Sequence, residues 1–470
     1  MTASTKKQAT ASTKKQTTAL PGRPVLAVVG AGSLVWGRSI VVDIMCNPDL
    51  AGAEIRLIDV LPDRLALVHE WLEFAKQAKG WGHALSAHTD LREGLRGVTA
   101  CLTAISVGGD RQWRYDAMHP QLDGIFQPVG DTTGPGGALR ALRHAPALKK
   151  IAQTLVEVGA PSPILIQLTN PLNPLTALLD EIPGLRVLGF CHGYEDTEHR
   201  IAKSLGIAPP DSEWGSNWRE GCPRVNVELA GNNHFVFLDR LMIGDRTYDQ
   251  KSVAELMPAL FDCPFREEVW SRYGVFVGNH ARHPIEFLPG FLTRDSQFGR
   301  AWGVSPIASE IDPEHGDRHD DRQPQLEADL KAARADLSTC RNWQLDHSRE
   351  PIAEIIAAFH TGHRFDVHLN LRNEGALRGV SAEAHLEMFC RIEDGRVHRP
   401  NVEFPESITM EIERVGQSQQ LLSRCCAHYD EDLLVESLRL DALMPTDEGK
   451  IRRLIREMVD FQKHLIDLSE

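Results

Sequence analysis

Four stretches of this sequence end apolar runs in groups that could act on a small polar molecule: Gly109-Asp110, Thr169-Asn170, Cys191-His192 and Asn233-His234. The runs that lead into them, 100–107, 163–168, 188–190 and 225–230, are short and continuous, as buried strands are. Open α/β sheets bind their ligands at the carboxyl ends of such strands. In a parallel sheet those ends share one edge, so a carboxylate, an amide, a thiol and imidazoles can converge there. Cys191 taken alone also fits a small buried hydrophobe; the three other polar strand ends favour a site.

The element that would position a ligand against that edge stands at the start of the ordered sequence. Val25-Leu-Ala-Val-Val29 reads as a buried strand and runs into Gly30-Ala-Gly32-Ser33, followed by an apolar stretch of helical length through Ile44. Strand, glycine turn and helix in that order form a dinucleotide entry: glycines let a pyrophosphate approach, and helix N-terminal amides receive it. A second strand, 54–58, ends in Asp59, where a carboxylate would bond ribose hydroxyls and favour NAD over NADP. The third glycine position of the fingerprint holds Val35. Gly30, Gly32, Ser33 and Asp59 are thus the candidate cofactor contacts. A second glycine-rich loop, Val129-Gly-Asp131-Thr-Thr-Gly-Pro-Gly-Gly137, opens a helical pattern over 138–148. It reads equally as backbone brought close to a ligand or as a loop with Asp131 as N-cap.

Composition bounds the partners. The chain has 470 residues, 42% hydrophobic and 25% charged, enough for two domains with large cores. A net charge of −14 argues against nucleic acid or an anionic membrane, which need clustered positive charge, and leaves a small molecule as the expected partner. Nine scattered cysteines without a CxxC point to neither a disulfide framework nor a zinc ribbon, and a reducing cytoplasm is expected. No apolar run approaches the roughly 20 residues that span a bilayer, and the N-terminus lacks a signal-peptide core. Residues 1–22, with Ala-Ser-Thr-Lys-Lys-Gln at 3–8 and again at 11–16, read as a disordered basic tail. The expected fold is α/β: a Rossmann-like, doubly wound sheet over 23–200, and a mixed α+β substrate, metal and oligomerisation domain over 201–470. The latter would hold a charged helical segment near 313–349, strands near 367–372 and 384–389, and helices from about 408 onward.

These motifs, in this order, resemble the family 4 glycoside hydrolases, sugar hydrolases that need NAD and a divalent metal. The resemblance runs through Gly30–Ser33, the loop 129–137 with Arg143 and Pro146, Thr169-Asn-Pro171, Cys191-His-Gly193 and Ala230-Gly-Asn-Asn-His234. It continues through His283, Glu286, Pro289, Phe291 and 370–375, so it covers most of residues 24–390. It implies a lactate/malate dehydrogenase-like architecture, NAD, and a metal, usually Mn2+, held by Cys191 and His234. Thiolate and imidazole suit a transition metal and leave positions for sugar hydroxyls. It also implies Asn170 beside substrate and nicotinamide, further sugar contacts from Asp131, Asn233 and Arg143, and His192 as general acid. Histidine at 192 is typical of members acting on unphosphorylated α-glycosides. Where α-galactosidase-like members carry tyrosine and an acid, this chain has Phe287 and Arg282, and Gly193 replaces a serine. Tyr273, His280 and His283 are therefore all candidates for the base that removes the C2 proton. The implied reaction is C3 oxidation, C2 deprotonation, elimination and water addition. The rivals are an NAD-dependent sugar or hydroxyacid dehydrogenase and a silent NAD-binding regulator. A homodimer or homotetramer is expected.

Overall fold

The computed structural model describes residues 23–34, 36–212, 218–304, 322–348 and 350–466. The expected tail at 1–22 lies outside these residues, as do residues 313–321 and 349 of the expected charged helical segment, whose described part holds the helix Gln323–Ala335.

Six strands pair in parallel in the order β3-β2-β1-β4-β5-β6: β1 (Val25–Val29), β2 (Glu54–Ile58), β3 (Ala84–His88), β4 (Ala100–Thr103), β5 (Ile164–Gln167) and β6 (Arg186–Gly189). This is the dinucleotide-binding order, with its reversal between β1 and β4. β1, β4, β5 and β6 read as unbroken apolar runs because helices cover both faces of a parallel sheet. Leu26 and Val28 enter one core and Ala27 and Val29 the other.

The sheet then continues as antiparallel strands, in the order β6-β10-β11-β7-β8-β9: β7 (Val225–Asn232), β8 (Phe235–Ile243), β9 (Arg246–Asp249), β10 (Phe365–Arg372) and β11 (His385–Glu393), with β12 (Arg396–His398) on β11. The α/β class with a mixed second half is borne out. One expectation is corrected: the run that delivers His234 is not a fourth parallel strand. β7 pairs antiparallel with β8 and β11, so Asn233 and His234 form the two-residue tip of a hairpin closed by Asn232 and Phe235. Sequence periodicity reports a strand and its burial, whereas direction depends on partners about 150 residues away.

The two halves are joined by a narrow seam. Gly189 pairs with Asn370, Asn370 with Glu387, and Glu387 with Gly231, a single lateral row from β6 to β7. That row brings the end of β6, which leads into Cys191, alongside the strand that leads into His234. The C-terminal helices Glu406–Ala427, Glu431–Arg439 and Glu448–Gln462 return to the parallel half, where Leu422, Leu434 and Leu454 share a core with Leu142, Leu148 and Leu175. No helix among the described residues is long and apolar enough to cross a membrane.

Candidate active site

The glycine turn after β1 is built for close approach. Gly30 adopts φ +91°, and a Cβ there would strike the carbonyl of Ala104. A Cβ on Gly32 would stand 2.9 Å from the Asp59 carboxylate. Asp59 accepts the Gly32 amide at 2.8 Å and the Leu61 amide at 2.9 Å, so its carboxylate is fixed against the turn. Ser33 accepts the Trp36 amide at 3.2 Å and caps the helix Trp36–Cys46. A nucleotide with a ribose near Asp59 fits this cradle.

The glycine-rich loop is held by a side chain from a distant segment. Glu286, 1% exposed, accepts the amides of Val129 at 2.6 Å and Gly130 at 3.1 Å. Burial pushes its carboxyl well above the usual range, and the two amides oppose that shift. The clamp sets the next residue, Asp131. Its Oδ2 accepts Asn170 Nδ2 at 3.1 Å and its Oδ1 accepts the Thr132 hydroxyl at 2.7 Å. Asn170 precedes a cis proline, and its carbonyl accepts Arg140 Nε at 3.3 Å and faces His144 Nδ1 at 2.9 Å. Arg140 and His144 stand one turn apart on the helix Gly134–Val158, so one helix face grips this oxygen.

Asp131, His234 and His283 offer ligand atoms within 4.8 Å of one another. His234 sits at the hairpin tip with φ +67°, a conformation non-glycine residues hold at a cost of about 1–3 kcal/mol and one that collects at functional sites. Thr132 Oγ1 lies 2.8 Å from His234 Nδ1. With its own proton on Asp131, the hydroxyl accepts from Nδ1, which leaves Nε2 as the lone-pair nitrogen a metal needs. Burial lowers the pKa of His234, and lowers that of His283 well below the usual imidazole value, aided there by His234 and His280. Both rings are therefore neutral at pH 7, the ligand form.

Cys191 lies outside that triad. The Gly193 amide and the Asn233 side chain face its sulfur, while burial raises its pKa and Glu387 adds to the rise. Asn233 Nδ2 in turn donates to Glu387 at 2.8 Å. Glu387 is fully buried and its pKa is pushed up to about 7 by burial. His192 stacks on Trp36 at 5.3 Å between ring centroids, and its Nδ1 is 3.5 Å from Glu350. Burial lowers His192 to about 4 and raises Glu350 to about 8. The His192–Trp36 stack joins the helix after the glycine turn to the segment that carries Cys191.

Two of the expected residues are placed elsewhere. Arg143 is 1% exposed and each of its three guanidinium nitrogens donates inside the protein: to the Val107 carbonyl at 2.7 Å, to Gln462, and to Asp116 at 2.8 Å. The arginine that reaches Asn170 is Arg140, three residues earlier. Tyr273 ends the helix Pro264–Tyr273 with its hydroxyl toward Glu411, and burial and Glu411 both raise its pKa. His280 has both ring nitrogens within 3.3 Å of Arg282. Phe287 packs flat on Phe235 at 5.2 Å, a core contact. Sequence reasoning missed Arg140, Thr132, Glu350 and Glu387. Only Glu387 carried a signal, as a carboxylate on an otherwise apolar strand.

Gly193 has a spatial reason. A Cβ there would fall inside contact distance of Asn279 Oδ1, and Asn279 is 1% exposed. Gly193→Ser is expected to destabilise the chain by about 1–3 kcal/mol through overpacking. The same change beside Asn279→Ala should cost less than the sum of the two single changes. Urea unfolding of the four proteins checks this, and strict additivity would refute the contact.

Comparison with known proteins gives two matches: a family described as "Family 4 glycosyl hydrolase" over residues 25–207, and "Family 4 glycosyl hydrolase C-terminal domain" over 229–444. An alpha-galactosidase of Rhizobium meliloti (strain 1021) is 26% identical over 77% of this chain and 72% of its own. An alpha-galacturonidase of Thermoanaerobacterium saccharolyticum is 24% identical over 94% and 96%. Among solved structures, a 6-phospho-alpha-glucosidase from gut microorganisms, in complex with NAD and Mn2+, superposes with a TM-score of 0.72 at 17% identity, over 95% of this chain and 99% of that one.

Proposed function

Because the chain belongs to family 4 of the glycosyl hydrolases, and is a glycosidase, we propose that it cleaves an unphosphorylated α-glycoside with NAD and one divalent metal ion, manganese. The observation that supports this reading is the His192–Trp36 stack, which joins the helix after the glycine turn to the residue beside Cys191, together with the cluster of Asp131, His234 and His283. A hydrolase working through two carboxylates would need neither a nucleotide turn nor such a donor set. Relatives named for α-galactosides and α-galacturonides support the unphosphorylated class.

Gly30, Gly32, Ser33 and Asp59 would hold the dinucleotide, with Asn170 at its reactive end. His234, Cys191 and Asp131 would hold the metal. When bound, NAD would supply a hydride acceptor and donor, and the metal would supply a Lewis acid. His283 is the base we assign to the C2 proton: it is neutral and beside His234, whereas the Tyr273 hydroxyl faces Glu411 and both His280 nitrogens face Arg282. His192, neutral at pH 7, passes a proton to the leaving oxygen as a relay: Glu350, which burial keeps protonated, gives its proton to Nδ1 as Nε2 gives up its own. Asp131 and Asn233 orient hydroxyls, and Glu286 fixes the loop that carries Asp131.

Loss of the C2 proton has a direct readout. Sugar released in D2O, with NAD, manganese and a reducing agent present, is expected to carry deuterium at C2 by NMR. Fully protonated C2 in a hydrolysed product would sink the elimination route. Accumulated NADH with oxidised sugar would instead assign a dehydrogenase.

A further inference from the structure

We propose that Glu387 is the positioning residue of the metal site: its carboxyl ties the hairpin tip that carries His234 to the strand end that leads into Cys191, and the bound cation is the charge that balances it. The proposal rests on the metal-dependent reading above and adds a residue to it. Glu387 stands where the two halves of the sheet meet, paired in register with Asn370 of β10 on one side and Gly231 of β7 on the other. Asn370 in turn pairs with Gly189, two residues before Cys191. The Glu387 Oε2 accepts Asn233 Nδ2 at 2.8 Å, and the His234 amide and the Asn370 side chain also face the carboxyl. Asn233 faces the Cys191 sulfur as well, so a single side chain links both expected ligands. Glu387 is absent from the cluster of Asp131, His234 and His283, which makes it a group behind the ligands.

Nothing in the protein balances this carboxyl. Glu387 is fully buried, and so are its neighbours Leu386 and Met388. The groups that face it are two side-chain amides and a backbone N–H, none of them charged. Its Oε1 has no hydrogen-bond partner among the described residues. Asp116 gives the contrast, because that equally buried carboxylate has Arg143 against it at 2.8 Å. A buried carboxyl is ordinarily paired with a cation or set beside a metal, since burial without a counter-charge is costly. Glutamine could accept the same Asn233 bond; what glutamate adds is charge. Of the acids that act on the Cys191 sulfur, Glu387 acts most strongly, ahead of Asp131. Thiolate and carboxylate repel one another in the metal-free protein, and a divalent cation on Cys191 and His234 turns that repulsion into affinity.

The test reads manganese binding by the full chain in the presence of NAD and needs no turnover. Calorimetric Kd values for Mn2+, and thermal unfolding with and without Mn2+, are measured for the wild type, Glu387→Gln and Glu387→Asp. Glu387→Gln is expected to weaken Mn2+ binding about 10–100-fold, the loss that follows removal of a group behind a metal ligand. Its metal-free form should unfold at the same temperature as the metal-free wild type or higher, because a buried charge without a partner has gone. The rise in unfolding temperature on adding Mn2+ should shrink with the affinity. Glu387→Asp keeps the charge with less reach and should recover part of the affinity. An unchanged Kd in Glu387→Gln overturns the proposal. So does a metal-free Glu387→Gln that is less stable yet gains as much from Mn2+ as the wild type, the behaviour of a packing residue. Should Glu387→Gln fail to fold, Glu387→Asp decides: weakened Mn2+ binding supports the proposal and wild-type binding overturns it. A wild type that binds no Mn2+ refutes the metal-dependent reading itself, a result the variants cannot produce.

Discussion

His234→Ala is expected to lose manganese binding and, with it, activity on every glycoside. The imidazole belongs to the proposed ligand set, Cys191, Asp131 and His234, and to the cluster Asp131, His234 and His283 whose ligand atoms lie within 4.8 Å of one another. Even partners behind a metal ligand cost about 10–100-fold in metal affinity when removed, so loss of the ligand itself should exceed roughly 100-fold. Elemental analysis after gel filtration in limiting manganese gives the readout. Cys191→Ser is expected to lower the metal content too, because a hydroxyl is a poor substitute for a thiolate. Full manganese content in Cys191→Ser would assign the ion to Asp131, His234 and His283 alone. Full content in His234→Ala would remove the metal centre from this hairpin altogether.

Arg143→Met is expected to cost about 3–5 kcal/mol of stability, the penalty for stranding one partner of a buried ion pair. Asp116 and Arg143 both have fully buried side chains 2.8 Å apart. Burial already raises the Asp116 pKa, and Arg143 is the largest influence holding it down. The variant should therefore unfold at lower urea concentration, with KM for substrate little changed in the folded fraction. Arg143→Met with Asp116→Leu removes both charges and should recover part of the loss. A stable Arg143→Met with a raised KM would return Arg143 to the substrate contacts implied by the sequence resemblance.

Much of this molecule was legible in the order of its residues. An apolar run, two glycines and an acid at the end of the next strand specify a nucleotide turn because only glycine tolerates the φ of Gly30 and the carbonyl of Ala104 beside it. Both requirements are local. The Cys191-His192 and Asn233-His234 dipeptides were equally visible, since polar groups that end buried runs have few reasons to be there. Three-dimensional contact decided what those groups meet. The direction of β7, and hence the hairpin that carries His234, is set by pairing with β11 some 155 residues later. Glu286 clamps the loop at Val129 from a segment 157 residues away. Arg140 and Arg143 differ in the sequence by three positions and by 60° around one helix. Their divergent surroundings, the Asn170 carbonyl for one and Asp116 with Gln462 for the other, come from elements packed on the two sides of that helix. Periodicity encodes which face of an element is buried. It carries no information about the partner across the interface, and here the partner separates a buried ion pair, Arg143 with Asp116, from an arginine that meets the Asn170 carbonyl.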